Sequence, residues 1–248
     1  MHFAARALVA STLAFVAAAA PAAELIVSAA ASLTEAFREL GVAFAAAHAG
    51  TTVQLNFAAS GALLQQIANG APVDVFASAD QQTMDEAERR QLLRPASRAD
   101  FASNALVVVV ARAAGAAPRA LADLAQPSVR RIAIGVPASV PAGRYARAVL
   151  EQARLWPEVE PKTIGAQSVR QVLDYVARGE VDAGFVYATD AAAMPGRVRV
   201  AFSVPAPVRY PIAVVAGSKQ AGEAQAFAAY VLAAPGQAVL RRHGFGPP

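Results

Sequence analysis

The chain has 248 residues, of which 56% are hydrophobic and 16% charged, so it can bury a substantial core and is not a disordered segment. Its formal charge of +4 is scattered: Arg89-Arg90, Arg130-Arg131 and Arg241-Arg242 never grow into a basic tract interleaved with aromatics, which argues against nucleic acid as a partner. It has no cysteine, which excludes disulfides and thiolate metal sites.

Residues 1–23 read as a secretory signal peptide. A short basic start, residues 1–6, precedes an apolar stretch over 7–20 broken only by Ser11 and Thr12. Ala20-Pro21-Ala22 then offers a small-x-small site, with cleavage after Ala22 or Ala23. The stretch is too short and too alanine-rich to serve as a span, which needs ~20 strongly apolar residues. The expectation is an exported, periplasmic protein.

Beyond that segment, strand and helix patterns alternate. Strands are predicted at 24–28, 52–57, 73–78, 105–111, 131–136, 162–164, 183–187, 197–202 and 212–216. Helices are predicted at 33–47, 62–69, 81–90, 142–154, 169–178, 221–233 and 237–243. Leu33, Phe37, Leu40 and Phe44 recur at helical spacing, as do Val169, Val172, Leu173 and Val176. Such alternation predicts an α/β fold with mixed or parallel sheets and helices on both faces. If the apolar runs near 105–110 and 210–217 both cross between lobes, residues 24–105 and 211–248 form lobe one and residues 106–210 form lobe two. Ligands in open α/β folds sit at the carboxyl ends of strands, which puts a cleft between the lobes.

Several of these strands run into small residues and a hydroxyl at the start of a helix. Leu25-Ile26-Val27-Ser28 leads to Ala31-Ser32-Leu33, and the second strand leads to Ala58-Ala59-Ser60-Gly61. Such joints aim backbone N–H groups and a serine at one spot, a way to hold an anion without a counter-charge. Ser32 also fits a plain capping box with Glu35, and Gly61 admits close approach of a ligand to the backbone. Pro141 suits the first turn of its helix, leaving Ala142 and Gly143 to offer amides. Ser168 reads as the cap before Val169. Tyr187, at a strand end, can donate its hydroxyl. Four helix starts at roughly +0.5 charge each sum to about +2, which matches a dianion. Arg144 and Arg170 are expected to face solvent, and Asp80 and Asp190 to cap helices. An exported serine hydrolase is the rival from another class. Only His48 and His243 follow the signal segment, neither is near a candidate nucleophile in sequence, and no Gly-x-Ser-x-Gly elbow is present. His48 reads as an exposed or capping residue.

At these residues the chain resembles the periplasmic molybdate-binding proteins of ABC importers, the ModA family. The matching segments are Ala29-Ala30-Ala31-Ser32-Leu33-Thr34, Phe57-Ala58-Ala59-Ser60, the run from Gly70 to Asp80, Asn104 to Val109, Val140-Pro141-Ala142-Gly143, Val169-Arg170, Val186-Tyr187, Tyr210-Pro211 and Arg242-His243-Gly244-Phe245. They follow one another over nearly the whole chain after the signal segment. The resemblance implies a two-lobed periplasmic binding protein of type II with a ligand cleft between the lobes. It implies no enzymatic activity and no cofactor. The ligand it implies is molybdate, with tungstate beside it, captured by a monomer and delivered to an inner-membrane ABC permease. Carried over residue by residue, the hydroxyls are those of Ser32, Ser60 and Tyr187, and the amides those of Ser32, Ser60, Ala142 and Val169. Metal would be held only as the oxyanion. Many relatives have a serine-rich run where this chain has Ala59-Ser60-Gly61-Ala62, which bears on molybdate against tungstate. Sulfate or phosphate is the alternative ligand.

Overall fold

The computed structural model describes residues 23–248. The signal-peptide reading lies outside the described residues except for Ala23, which already belongs to the first strand: its N–H donates to the Gly50 carbonyl at 2.7 Å.

The run Leu25-Ile26-Val27 is apolar without alternation because β1 (Ala23–Ala30) is an interior strand. It pairs in parallel with β2 (Thr51–Ala58) on one side and β3 (Val75–Ala77) on the other. Between β1 and β2 runs α1 (Thr34–Ala47), entered through a 3-10 turn at Ala31–Leu33. Its buried stripe of Phe37, Leu40 and Phe44 follows the helical period. His48 closes the helix, its N–H donating to the Phe44 carbonyl at 2.9 Å and its ring stacked on Phe44 at 3.9 Å, so the capping reading holds.

After β2 come α2 (Ser60–Ala68), β3, α3 (Gln81–Arg89) and the long β4 (Ala99–Ala111). Then follow β5 (Ile132–Gly135), α4 (Pro141–Gln152), the single turn α5 (Trp156–Val159), β6 (Thr163–Ala166), α6 (Val169–Ala177), β7 (Ala183–Tyr187) and α7 (Ala188–Ala193). The chain ends with β8 (Val198–Val214), α8 (Ala221–Leu232) and α9 (Ala234–Arg242). The eight strands make one mixed sheet in the order β2-β1-β3-β8-β4-β7-β5-β6. β5 pairs in parallel with β6 and β7, while β3–β8, β8–β4 and β4–β7 are antiparallel. Among the described residues no helix is long and apolar enough to cross a membrane.

Two sequence expectations need correction. The strands expected at 197–202 and 212–216 are one strand, β8, which continues through Pro205, Pro207 and Pro211. Proline cannot donate to a ladder and is confined to edges and bulges. Leu106 pairs with Val204 but Asn104 with Val208, so β8 carries extra residues here and Pro205 and Pro207 fall inside that bulge. β4 likewise begins at Ala99, not 105, because its first half pairs with the second half of β8. The short α5 and α7 were not expected, since each is too brief to show a periodic pattern.

Phe37, Phe44, Phe101 and Phe227 cluster, with centroids 5.2 Å apart for the edge-to-face pair Phe44–Phe227 and 5.7 Å for the tilted pair Phe37–Phe101, and this seats α8 on α1. The parallel strands set up the site. Ala31, Ser60, Pro141 and Val169 stand just past the carboxyl ends of β1, β2, β5 and β6, and Tyr187 closes β7.

Candidate functional site

Ser32, Ser60, Ala142, Val169 and Tyr187 line one small cavity. All five are buried, and none of the lining residues carries a charge. Four helix starts meet there: the 3-10 turn that leads into α1, then α2, α4 and α6. The first amides of a helix have no intrahelical acceptor, so each start needs an outside partner. Three of the four lack a side-chain cap, because their caps are Ala30, Ala59 and Val140. Only α6 is capped, by the Ser168 hydroxyl accepting from Gln171 N–H at 3.2 Å, as expected. By contrast α3, whose start lies outside the cavity lining, has Asp80 accepting from Thr83 N–H at 3.3 Å. The uncapped starts thus gather around the cavity, where the lining residues are mostly small and apolar.

The hydroxyls are held from behind. Ser32 does not form the capping box; its Oγ lies 3.0 Å from the Tyr210 hydroxyl. Ser60 Oγ accepts from Ala79 N–H at 3.0 Å. Tyr187 donates to the Ala79 carbonyl at 3.4 Å, long for an O–H···O bond. One peptide residue, Ala79, therefore touches both Ser60 and Tyr187. Burial pushes the Tyr187 and Tyr210 pKa values well above 10.0, so both keep their protons as donors.

The glycines act differently from expectation. Gly61 brings backbone against backbone, not against a ligand: its N–H donates to the Ser139 carbonyl at 3.0 Å, and a Cβ there would lie 2.7 Å from that oxygen. Gly143 donates to the Val140 carbonyl at 3.0 Å, so its amide is already engaged. A Cβ on Gly143 would sit 1.8 Å from the Gly135 carbonyl oxygen, so the lost side chain serves the packing of α4 on β5.

The two arginines do not face solvent. Arg144 donates to Asp80 Oδ2 (2.8 Å), Thr83 Oγ1 (2.6 Å) and the Pro137 carbonyl (3.0 Å). Arg170 pairs with Glu35, and its Nε lies 2.8 Å from Asp190 Oδ1 without an aligned hydrogen bond. Asp190 lies inside α7 and reaches back to accept from Tyr187 N–H at 3.1 Å. Burial pushes its pKa up to about 6, with Arg170 and the Tyr187 amide working the other way. Neither arginine lines the cavity, because carboxylates engage both outside it. The two histidines are engaged elsewhere too, His48 on Phe44 and His243 Nε2 at 2.8 Å from Glu39.

The residues that sequence reasoning gave no role are Ala79, Asn104 and Tyr210. All three lie in segments that carry the resemblance, but nothing local marks them as neighbours of Ser32 and Ser60. Complete burial of Tyr210 is the one structural signal, since a buried tyrosine needs a partner for its hydroxyl.

Residues 25–246 match the family of bacterial extracellular solute-binding proteins. The chain belongs to that family. This solute-binding protein is 36% identical over 230 residues to the molybdate-binding protein ModA of Escherichia coli, covering 90% of this chain and 88% of that one. Its structure is similar to that of the periplasmic molybdate-binding protein of Azotobacter vinelandii, with a TM-score of 0.80 and 27% identity over 90% of this chain and 99% of the other. The sulfate-binding protein SubI of Mycobacterium tuberculosis shares the fold with a TM-score of 0.80 but only 19% identity, over 91% of this chain and 87% of that one. The α/β fold expected of a periplasmic binding protein is the fold observed.

Proposed function

We propose that this solute-binding protein captures molybdate, and tungstate beside it, as an intact tetrahedral dianion and delivers it from the periplasm to an inner-membrane ABC permease. The single observation that carries the reading is the convergence of Ser32, Ser60, Ala142, Val169 and Tyr187 on one uncharged cavity ringed by uncapped helix starts. The hydroxyls of Ser32 and Ser60 and the amides of Ser32, Ser60, Ala142 and Val169 serve as donors, and Tyr187 joins them by exchanging its long 3.4 Å bond to the Ala79 carbonyl for one to the anion. About +2 of helix-end charge balances the dianion. The relatives named for molybdate support the choice of anion.

Residues 24–105 with 211–248 form one lobe in this reading, and residues 106–210 the other. The register shift between Asn104 and Leu106 in β4, opposite the proline bulge of β8, supports a hinge at that boundary. Closing the lobes excludes water and strengthens each hydrogen bond to the anion. The protein works as a monomer, without catalysis or cofactor, as a carrier rather than an enzyme. Sulfate has the same charge and shape, so the cavity discriminates by size: a smaller anion leaves buried donors unpaired at ~1–3 kcal/mol each.

A thermal-melting series with molybdate, tungstate, sulfate and phosphate tests this. Each ligand at 100 times its dissociation constant adds about 2.7 kcal/mol. Large shifts with the first two anions and small ones with the others, all at one low concentration, are expected. Equal shifts with all four would sink the selectivity, and a larger shift with sulfate would assign that anion instead.

A further inference from the structure

Every hydroxyl can both donate and accept, so a dianion site needs something to stop its serines from presenting lone pairs. The surroundings of Ser32 supply a chain of bonds whose direction is fixed at its far end. Ala105 N–H donates to Asn104 Oδ1 at 2.9 Å, and a backbone N–H can only donate. The Asn104 amide is thereby oriented with its Nδ2 toward the hydroxyls of Thr189 at 2.9 Å and Tyr210 at 3.3 Å. Tyr210 accepts from Asn104, so its one proton goes to its other partner, Ser32 Oγ, at 3.0 Å. Ser32 then has its own proton left for the cavity. Ser60 is set the same way in one step, by Ala79 N–H.

We propose that Tyr210, oriented by Asn104, is a positioning residue that fixes Ser32 as a hydrogen-bond donor and so makes the site reject anions that carry a proton. Tyr210 does not itself line the cavity; it acts through Ser32. A protonated oxyanion needs an acceptor, and the bond chain turns the Ser32 proton, in place of a lone pair, toward the cavity. This rests on the anion-binding reading above.

The test is calorimetric titration of the full chain with molybdate and, separately, with hydrogen phosphate, for the wild type, Tyr210→Phe, Asn104→Asp and the double variant. Tyr210→Phe lowers molybdate affinity about tenfold and leaves the unliganded circular dichroism unchanged. Asn104→Asp reverses the chain: the introduced carboxylate takes the Tyr210 proton, Tyr210 accepts from Ser32, and Ser32 turns a lone pair to the cavity. Molybdate affinity then falls and hydrogen phosphate gains relative to it, a change of ratio that loosened packing does not produce. In the Tyr210→Phe background the same Asn104→Asp change loses most of its effect, because no hydroxyl relays it. An equal effect in both backgrounds would reduce the introduced carboxylate to simple charge repulsion and overturn the proposal. So would an unchanged molybdate-to-phosphate ratio in Asn104→Asp, a readout that stands even where Tyr210→Phe fails to fold. A wild type that ignores molybdate would instead sink the function itself.

Discussion

Arg144 holds Asp80 across 64 positions of sequence, with its Nε 2.8 Å from Oδ2, and the same guanidinium also reaches Thr83 and the Pro137 carbonyl. The pair ties the start of α4 to the start of α3 at the edge of the cavity. Side-chain exposure is 16% for Arg144 and 5% for Asp80, so the carboxylate has little water to fall back on. Removing one partner of a buried pair strands the other. Arg144→Ala is therefore expected to lower stability by about 3 kcal/mol in urea unfolding. Arg144→Lys recovers only part, since one ammonium cannot reproduce a fork that engages three acceptors. A loss below a few tenths of a kcal/mol in Arg144→Ala would mean the contact is incidental.

Asp190 gives a pH signature. Its pKa in the folded protein is about 6 against an ordinary 3.8, chiefly because it is buried. Between those values the folded state holds a proton that the unfolded state has released. Stability from this group is therefore greatest at or below pH ~4, falls as pH rises, and levels off above pH ~6. A shift of this size corresponds to about 3 kcal/mol as an order of magnitude. The wild type minus Asp190→Asn difference in unfolding free energy should decline across that window. A difference that is flat or rises with pH would contradict the burial-driven shift.

Gly61 makes a contact that no side chain permits. A methyl group there would lie 2.7 Å from the Ser139 carbonyl oxygen and 2.8 Å from its Cα. In the two-lobe reading Gly61 and Ser139 lie on opposite lobes, so Gly61→Ala props the lobes apart. Molybdate affinity is expected to drop at least tenfold in calorimetry while the melting temperature without ligand moves little. Affinity equal to wild type would show that the two segments do not need to meet.

Ser60 and Tyr187 should separate binding from stability. Ser60→Ala removes the acceptor of the buried Ala79 N–H and leaves it unsatisfied, at about 1–3 kcal/mol of stability even without ligand. Tyr187→Phe removes only the long 3.4 Å bond to the Ala79 carbonyl and should cost less than 1 kcal/mol. Both weaken molybdate binding. Melting curves without ligand that rank the two variants the other way would contradict this hydrogen-bond assignment.

Much was legible in the sequence alone. Periodicity placed the helices with Phe37, Leu40 and Phe44 or Val172, Leu173 and Val176 inward, because those faces are written in adjacent turns. The strand-to-helix joints at Ser32, Ser60, Ala142 and Val169 were also visible, since a joint is a local pattern of small residues and hydroxyls, and so was Tyr187 as a hydroxyl donor at a strand end. What a residue faces across the fold is not local. The Ser32 hydroxyl could cap its own helix or meet Tyr210, 178 positions away, and both readings fit the same residues. Arg144 and Arg170 look solvent-facing on isolated helices until Asp80, Glu35 and Asp190 come beside them. The continuity of β8 through three prolines likewise depends on register shifts in its pairing with β4, which lies far away in sequence. Local pattern determined which groups can donate; only the tertiary structure decided the direction of each bond, because a hydroxyl's orientation is set by its neighbours and those come from distant parts of the chain.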